Sequence, residues 1–263
     1  MKIIIDPDLT TAPYDNVSSC VASSEDAEFP DENMRDDFTT NVWKAASGTT
    51  ATINLQVTKG SAVALFNTNA ISATIMAGSG DSWAYGDDWE YGDDWEFADD
   101  EVATIAVSDL SGEHGLLWAD YAEFTTPHLV TIELTSGGEP VYVGVIRAGG
   151  VMEFKDPMKN HGEGSIDFSI EKELNNGADY FRKRNVVRTF NNLGMIESRA
   201  NAWIFKHDIF DYVGPQPLAI RIIQNDNITD DEFVVYAKRL NTIALEHITN
   251  QYSKINFALK EAI

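Results

Sequence analysis

The stretch Thr50-Ala51-Thr52-Ile53-Asn54-Leu55-Gln56-Val57 decides the fold class. Apolar and polar residues alternate through it, so Ile53, Leu55 and Val57 share one side of an extended chain. The same texture continues downstream. Ala62-Val63-Ala64-Leu65-Phe66 is a short buried-strand pattern, and Ala73-Thr74-Ile75-Met76 is another. Further strands are expected over 102–107, 129–134 and 141–146. Clusters of Gly, Ser, Asn and Asp separate them at the spacing of a β-sandwich.

A second run follows Gly149-Gly150. Residues 165–171 alternate with Ile166, Phe168 and Ile170 inward, and 186–190 continue the pattern. One helix signal appears, near 197–212. Ser198 can cap it, Ala200, Trp203, Ile204, His207, Asp208 and Phe210 recur at three-to-four spacing, and Gly214-Pro215 stops it. Strands return over 218–223, 233–237 and 255–259. One helix among many strands predicts a mainly-β chain of two domains: a sandwich over 36–148 and a second β-rich domain over 149–263. Residues 1–35, punctuated by Pro7, Pro13 and Pro30, predict an extended arm with little core of its own.

Composition narrows the function classes. The chain has 263 residues, with 42 Asp and Glu against 19 Lys and Arg, a formal charge of -23. Such a surface repels nucleic acid and anionic lipid. No apolar run approaches the roughly 20 residues of a membrane helix. Ile3-Ile4-Ile5 is too short for a signal peptide, so none is expected. Cys20 is the single cysteine, which excludes intramolecular disulfides and multi-cysteine metal sites. It sits among polar neighbours with no base nearby and reads as an inert thiol.

Catalytic signatures are missing. The five histidines, His114, His128, His161, His207 and His247, form neither His-x-His nor His-Glu-x-x-His. There is no Gly-x-Ser-x-Gly elbow and no Walker A loop. No enzyme, cofactor or metal centre is expected.

Two segments stand out. A six-residue unit is written three times: Trp83-Ala84-Tyr85-Gly86-Asp87-Asp88, Trp89-Glu90-Tyr91-Gly92-Asp93-Asp94 and Trp95-Glu96-Phe97-Ala98-Asp99-Asp100. An even period suits a strand, on which Trp83, Tyr85, Trp89, Tyr91, Trp95 and Phe97 share one side. Asp81 to Glu101 carries ten acidic residues and no basic one. Subunit docking, glycan stacking and Ca²⁺ binding compete for this segment with a plain solvated hairpin, and EF-hand spacing is absent. The other segment is basic. Arg182, Arg184 and Arg188 face one way if their run is a single strand, suited to the acidic surface of a neighbouring copy or to protecting a sheet edge.

Three segments, Asp36-Asp37-Phe38-Thr39-Thr40-Asn41-Val42-Trp43-Lys44-Ala45, Ala51-Thr52-Ile53-Asn54-Leu55 and the strand and Asn turn of 62–70, resemble the opening of a discoidin-like, galactose-binding-type jelly roll. The wider order resembles a class of tailed-bacteriophage virion proteins. There a jelly roll leads through a Gly-rich stretch, here 143–150, into a β-rich docking domain. The segment 165–193, the single helix, the turn Gly214-Pro215-Gln216-Pro217-Leu218 and the closing strand 252–261 fit that order. The resemblance spans about residues 34–261, with the hexapeptide repeat as an insertion over 81–101. It implies a structural tail component, an adaptor or baseplate-proximal protein. Such a protein would be assembled in the host cytoplasm and carried in the virion. Its partners would be other tail proteins, copies of itself and a tail fibre, with no direct nucleic-acid contact and no membrane insertion. The alternative expectation is a carbohydrate-binding module that recognises host surface glycan. Fold alone does not choose between them.

Overall fold

The computed structural model describes residues 1–6, 14–78, 105–108, 115–158, 162–167, 169–173, 179–182, 186–223 and 233–262. The first strands are β1 (Lys2–Ile4), β2 (Val17–Ala22), β3 (Trp43–Lys44), β4 (Thr50–Val57), β5 (Gly60–Thr68), β6 (Ala70–Gly78), β7 (Ile105–Ser108), β8 (Leu116–Phe124), β9 (His128–Ser136) and β10 (Tyr142–Gly149). All but β1 build a jelly-roll sandwich of two antiparallel sheets, ordered β2-β4-β9-β6-β7 and β3-β10-β5-β8. The alternation of β4 is realised. Ile53, Leu55 and Val57 are fully buried between the sheets against Ile132, Leu134 and Ile75. Each such side chain contributes about 1.5–3 kcal/mol by leaving water. The Asn turn is also present. Asn67 adopts φ 56° and its Nδ2 donates to Thr39 O at 2.6 Å, which ties the β5–β6 corner to the segment before β3.

Beyond Gly149 the strands are β11 (Val151–Glu153), β12 (Gly162–Asp167), β13 (Ile170–Glu173), β14 (Asp179–Arg182) and β15 (Val186–Ser198). The helix α1 (Arg199–Trp203) follows and continues as a π-helical stretch, Ile204–Asp211. Then come β16 (Leu218–Arg221), β17 (Val234–Arg239), β18 (Ala244–His247) and β19 (Tyr252–Glu261). An eight-stranded sheet runs β11-β1-β16-β17-β19-β15-β12, with β18 also on β19, while among the described residues β13 and β14 pair with each other. Phe205, Ile209 and Phe210 of the helical segment pack on one face of that sheet with Phe190, Leu193 and Phe257.

The opposite face of the eight-stranded sheet meets the sandwich. Ala62, Ala64 and Phe66 of β5 and Val145 of β10 pack against Ile4, Ala219, Val234 and Tyr236. The four-stranded sheet is therefore covered on both sides. Arg147 of β10 pins this junction. Its guanidinium, almost wholly buried, donates to Tyr236 Oη at 2.6 Å, Asp36 O at 2.6 Å and Asp37 Oδ1 at 3.2 Å. Tyr236 Oη donates in turn to Asp37 Oδ1 at 3.0 Å. A charge taken out of water needs this full set of partners. At the chain crossing, Gly149 has φ +159°, and a Cβ there would lie 2.7 Å from Asn16 Oδ1. That same oxygen accepts from the Gly150 N–H at 2.9 Å.

Four sequence expectations need correcting in detail. The described part of residues 1–35 is not an extended arm with little core of its own. β1 lies inside the eight-stranded sheet between β11 and β16, with Met1, Ile3 and Ile5 buried, and β2 is an edge of the sandwich. A three-residue strand is too short to show a period, so its burial escaped the sequence pattern. Cys20 accordingly belongs to β2 and packs partly buried on the sandwich core, where burial pushes its thiol up to about 12. The alternating run 165–171 breaks in two, because Asp167 Oδ1 accepts from the Ser169 N–H at 2.7 Å in a local turn. Arg182 and Arg188 do not share a strand: the first ends β14 and the second lies on β15.

Candidate functional site

On the described surface the helical segment builds a cluster that combines an open aromatic ring with polar groups. Ser198 caps the helix, its hydroxyl accepting from the Asn201 N–H at 3.1 Å. Glu197, buried just before the cap, accepts from the N–H groups of Lys155 and Ser198 and so fixes the entry of the chain. From Ile204 the helix widens into i→i+5 geometry over Ile204–Asp211. Such π segments are rare and recur at functional sites.

The buried stripe is Ala202, Phe205, Ile209 and Val213, held by the eight-stranded sheet and its loops. This leaves Trp203, His207 and Asp211, each four residues apart, on the outside as a ledge. Trp203 is 57% exposed. Its ring is backed by His207, with centroids 4.0 Å apart and planes at 41°. His207 Nδ1 lies 3.2 Å from Asp211 Oδ2, and Arg239 of β17 donates to Asp211 Oδ1 at 2.8 Å. Lys206 Nζ stands 3.9 Å from the same carboxylate. Tyr212, also 57% exposed, meets Tyr14 edge-on at 6.0 Å. The ledge can stack one flat apolar surface on Trp203 and exchange hydrogen bonds through a carboxylate and a guanidinium held together.

The sequence pattern placed Trp203 and His207 on the same face as Phe210. The structure separates them. The signal that resolves this is the competing stripe 202, 205, 209, 213, which fits helical spacing and throws Trp203, His207 and Asp211 outward.

The other expected residues fall as follows. Trp83, Tyr85, Trp89, Tyr91, Trp95 and Phe97, with Arg184, lie outside the described residues, as do His114 and His161. Of Arg182 the structure describes the backbone on β14. Arg188 pairs within the chain: Nη2 lies 3.1 Å from Glu261 Oε1 and Nε donates to Oε2 at 3.3 Å. His128 is a core histidine, stacked on Phe124 and hydrogen-bonded to Tyr121 Oη at 3.2 Å, and burial lowers its pKa. His247 contacts Ser253 Oγ at 2.9 Å, but that serine is fully buried. Among the described residues neither His207 nor His247 belongs to a complete nucleophile–base–acid set. Glu25, Asp31 and Glu32 bring their carboxylates within 4.8 Å of one another. Two of them are engaged with backbone: Asp31 accepts from the Ala22 N–H and Glu25 from the Asp31 N–H, a brace for the loop before β3.

No family model matches the sequence, and no curated protein matches it. Among solved structures, the chain is similar to chitosan-binding module 1 from the chitosanase/glucanase of Paenibacillus sp. IK-5. The identity is 19%, over 51% of this chain and 96% of the module, with a TM-score of 0.36. It is similar to the family 32 CBM of C. perfringens NanJ, solved in complex with galactose. There the identity is 12%, over 58% of this chain and all of the module, with a TM-score of 0.34. It is also similar to XRCC1, solved bound to the DNA pol beta catalytic domain, at 17% identity over 57% of this chain and 99% of that one, with a TM-score of 0.37. None of these three is a virion protein, and the tail expectation stays an expectation.

Proposed function

We propose that this chain is a non-catalytic carbohydrate-binding protein and that the ledge of Trp203, His207, Asp211 and Arg239 is its contact surface. The observation that carries the proposal is the open indole of Trp203, stiffened from behind by His207 and flanked by a carboxylate–guanidinium pair. A sugar ring has an apolar C–H face and a polar hydroxyl rim. The first is desolvated by an indole, and the second is matched by Asp211 and Arg239. Of the two expectations drawn from the sequence, a tail component and a glycan-binding module, this geometry favours the second.

The test is a glycan array followed by calorimetry on the best ligand. Trp203→Ala should weaken binding by at least about tenfold, with an unchanged circular dichroism spectrum. Asp211→Ala should weaken it less. A wild-type chain that binds no glycan on the array would overturn the proposal. Loss confined to Trp89→Ala or Trp95→Ala, with Trp203→Ala intact, would move the sugar from the ledge to the hexapeptide repeat.

A further inference from the structure

The outer stripe of the helical segment begins one turn before the indole. Arg199, Trp203, His207 and Asp211 stand four residues apart, so Arg199 borders Trp203 on the side away from Asp211. Four helical residues rise about 6 Å, close to the width of one sugar ring. The two ends of this stripe differ in charge. At the Asp211 end the charges balance: Asp211 and the exposed Asp208 stand with Arg239 and Lys206. At the other end they do not. Arg199 is exposed, and among the described residues its guanidinium has no carboxylate partner. Its N–H donates to Gln251 O at 2.9 Å, which brings the β18–β19 turn alongside. Tyr252 follows in that turn, 43% exposed, with Lys155 Nζ 5.5 Å from the centre of its ring. Lys155 is likewise exposed and without a carboxylate partner among the described residues. The carboxylates nearest in sequence are engaged elsewhere. Glu197 is buried and accepts from the N–H groups of Lys155 and Ser198, and Asp156 holds the Met1 amino group at 2.6 Å.

Helix stability does not account for Arg199. At the first helical position a cation faces the positive end of the helix dipole. Two unpaired cations side by side are also a local reversal of charge in a chain with 42 acidic and 19 basic residues. At physiological salt, charges are screened beyond about 8 Å, so a ligand here meets these two cations rather than the net -23. We infer that the glycan taken by the ledge is acidic: its ring lies on Trp203, and its anionic group, a carboxylate or a sulfate ester, meets Arg199 and Lys155. This rests on the reading of the ledge as a glycan site and adds the class of glycan to it. A guanidinium presents a planar pair of donors that matches either anion. Trp203 then supplies affinity for any sugar face, and Arg199 supplies the choice among sugars.

The test places the full chain on an array of neutral, uronic, sialylated and sulfated glycans. Calorimetry then compares the best acidic ligand with its uncharged counterpart, the methyl ester of a uronic or sialic acid or the desulfated form of a sulfated sugar. The wild type should bind the acidic form about tenfold or more tightly, and the array tells carboxylate from sulfate. Arg199→Gln should remove that preference, with about a tenfold loss on the acidic form and less than about twofold on the uncharged one. Lys155→Gln should reduce the preference less. Trp203→Ala should weaken both forms alike. Equal wild-type binding of the two forms, or an array bound only through neutral glycans, overturns the inference. The ledge itself still stands in that case if Trp203→Ala weakens the binding. A preference that survives Arg199→Gln and Lys155→Gln together, in a variant with the wild-type circular dichroism spectrum, also overturns it. A chain that binds no glycan of either kind removes the ledge reading, and this inference with it.

Discussion

β4 and β5 are consecutive strands of one sandwich, yet they read differently. β4 alternates strictly, with Ile53, Leu55 and Val57 in and Thr52, Asn54 and Gln56 out. β5 carries Ala62-Val63-Ala64-Leu65-Phe66 without a polar residue, and all five are buried. The cause is their place in the stack. β4 belongs to an outer sheet with water on one side. β5 belongs to a sheet covered by the five-stranded sheet on one side and the eight-stranded sheet on the other. A two-sided environment removes the need for alternation. The difference teaches that a continuous apolar strand inside a sandwich announces a third layer before that layer is located.

Three measurements can break or sharpen this contrast. The largest effect is expected at Phe66, whose ring lies 5.2 Å from that of Tyr236 across the junction. Phe66→Ala should cost about 3–5 kcal/mol in urea unfolding, as for a central core residue. Gln56→Ala, on the open side of β4, should stay within about 0.5 kcal/mol. Equal, small effects at both positions would mean that the junction contributes nothing to stability. Next comes Arg147→Met. It leaves the Asp37 carboxylate with the Tyr236 hydroxyl but without its cation, and Asp36 O without its donor, in a half-dry junction, so about 3 kcal/mol should be lost. A wild-type denaturation midpoint would show that the junction does not depend on this ion.

The smallest effect is a pH dependence within the sandwich itself. Burial lowers the pKa of His128, so the folded chain favours the neutral imidazole. Below about pH 6.5 the unfolded chain then binds more protons than the folded one. Stability must therefore fall as pH drops through that value towards the folded pKa. His128→Gln keeps a hydrogen-bonding side chain without a titration. Its melting temperature should vary less than the wild type's between about pH 7 and 5. Parallel curves for the two proteins would show that His128 does not contribute to the slope.

The candidate site was only half legible. Ser198, the helix and the Gly214-Pro215 stop followed from residue type, because capping and termination are local chemistry. The outward turn of Trp203 did not. An indole at helical spacing reads as core until the stripe of Ala202, Phe205, Ile209 and Val213 is seen to fill the sheet contact first. Arg239 reaches Asp211 from a strand 28 residues away, a pairing that no local pattern encodes. The same holds for Arg147, whose partners Asp37 and Tyr236 come from opposite sides of the junction.

By itself the order of residues determined a mainly-β chain, six of the nine described sandwich strands, the Asn turn and the α-helix, since each depends on a short-range period or a local hydrogen bond; β2, β3 and β8 (Leu116–Phe124) escaped it. The tertiary structure alone decided that Met1, Ile3, Ile4 and Ile5 are interior, that the four-stranded sheet is a middle layer, and which helix face meets water. Those outcomes rest on contacts between segments remote in the chain, where burial is shared among partners and no single stretch carries the information.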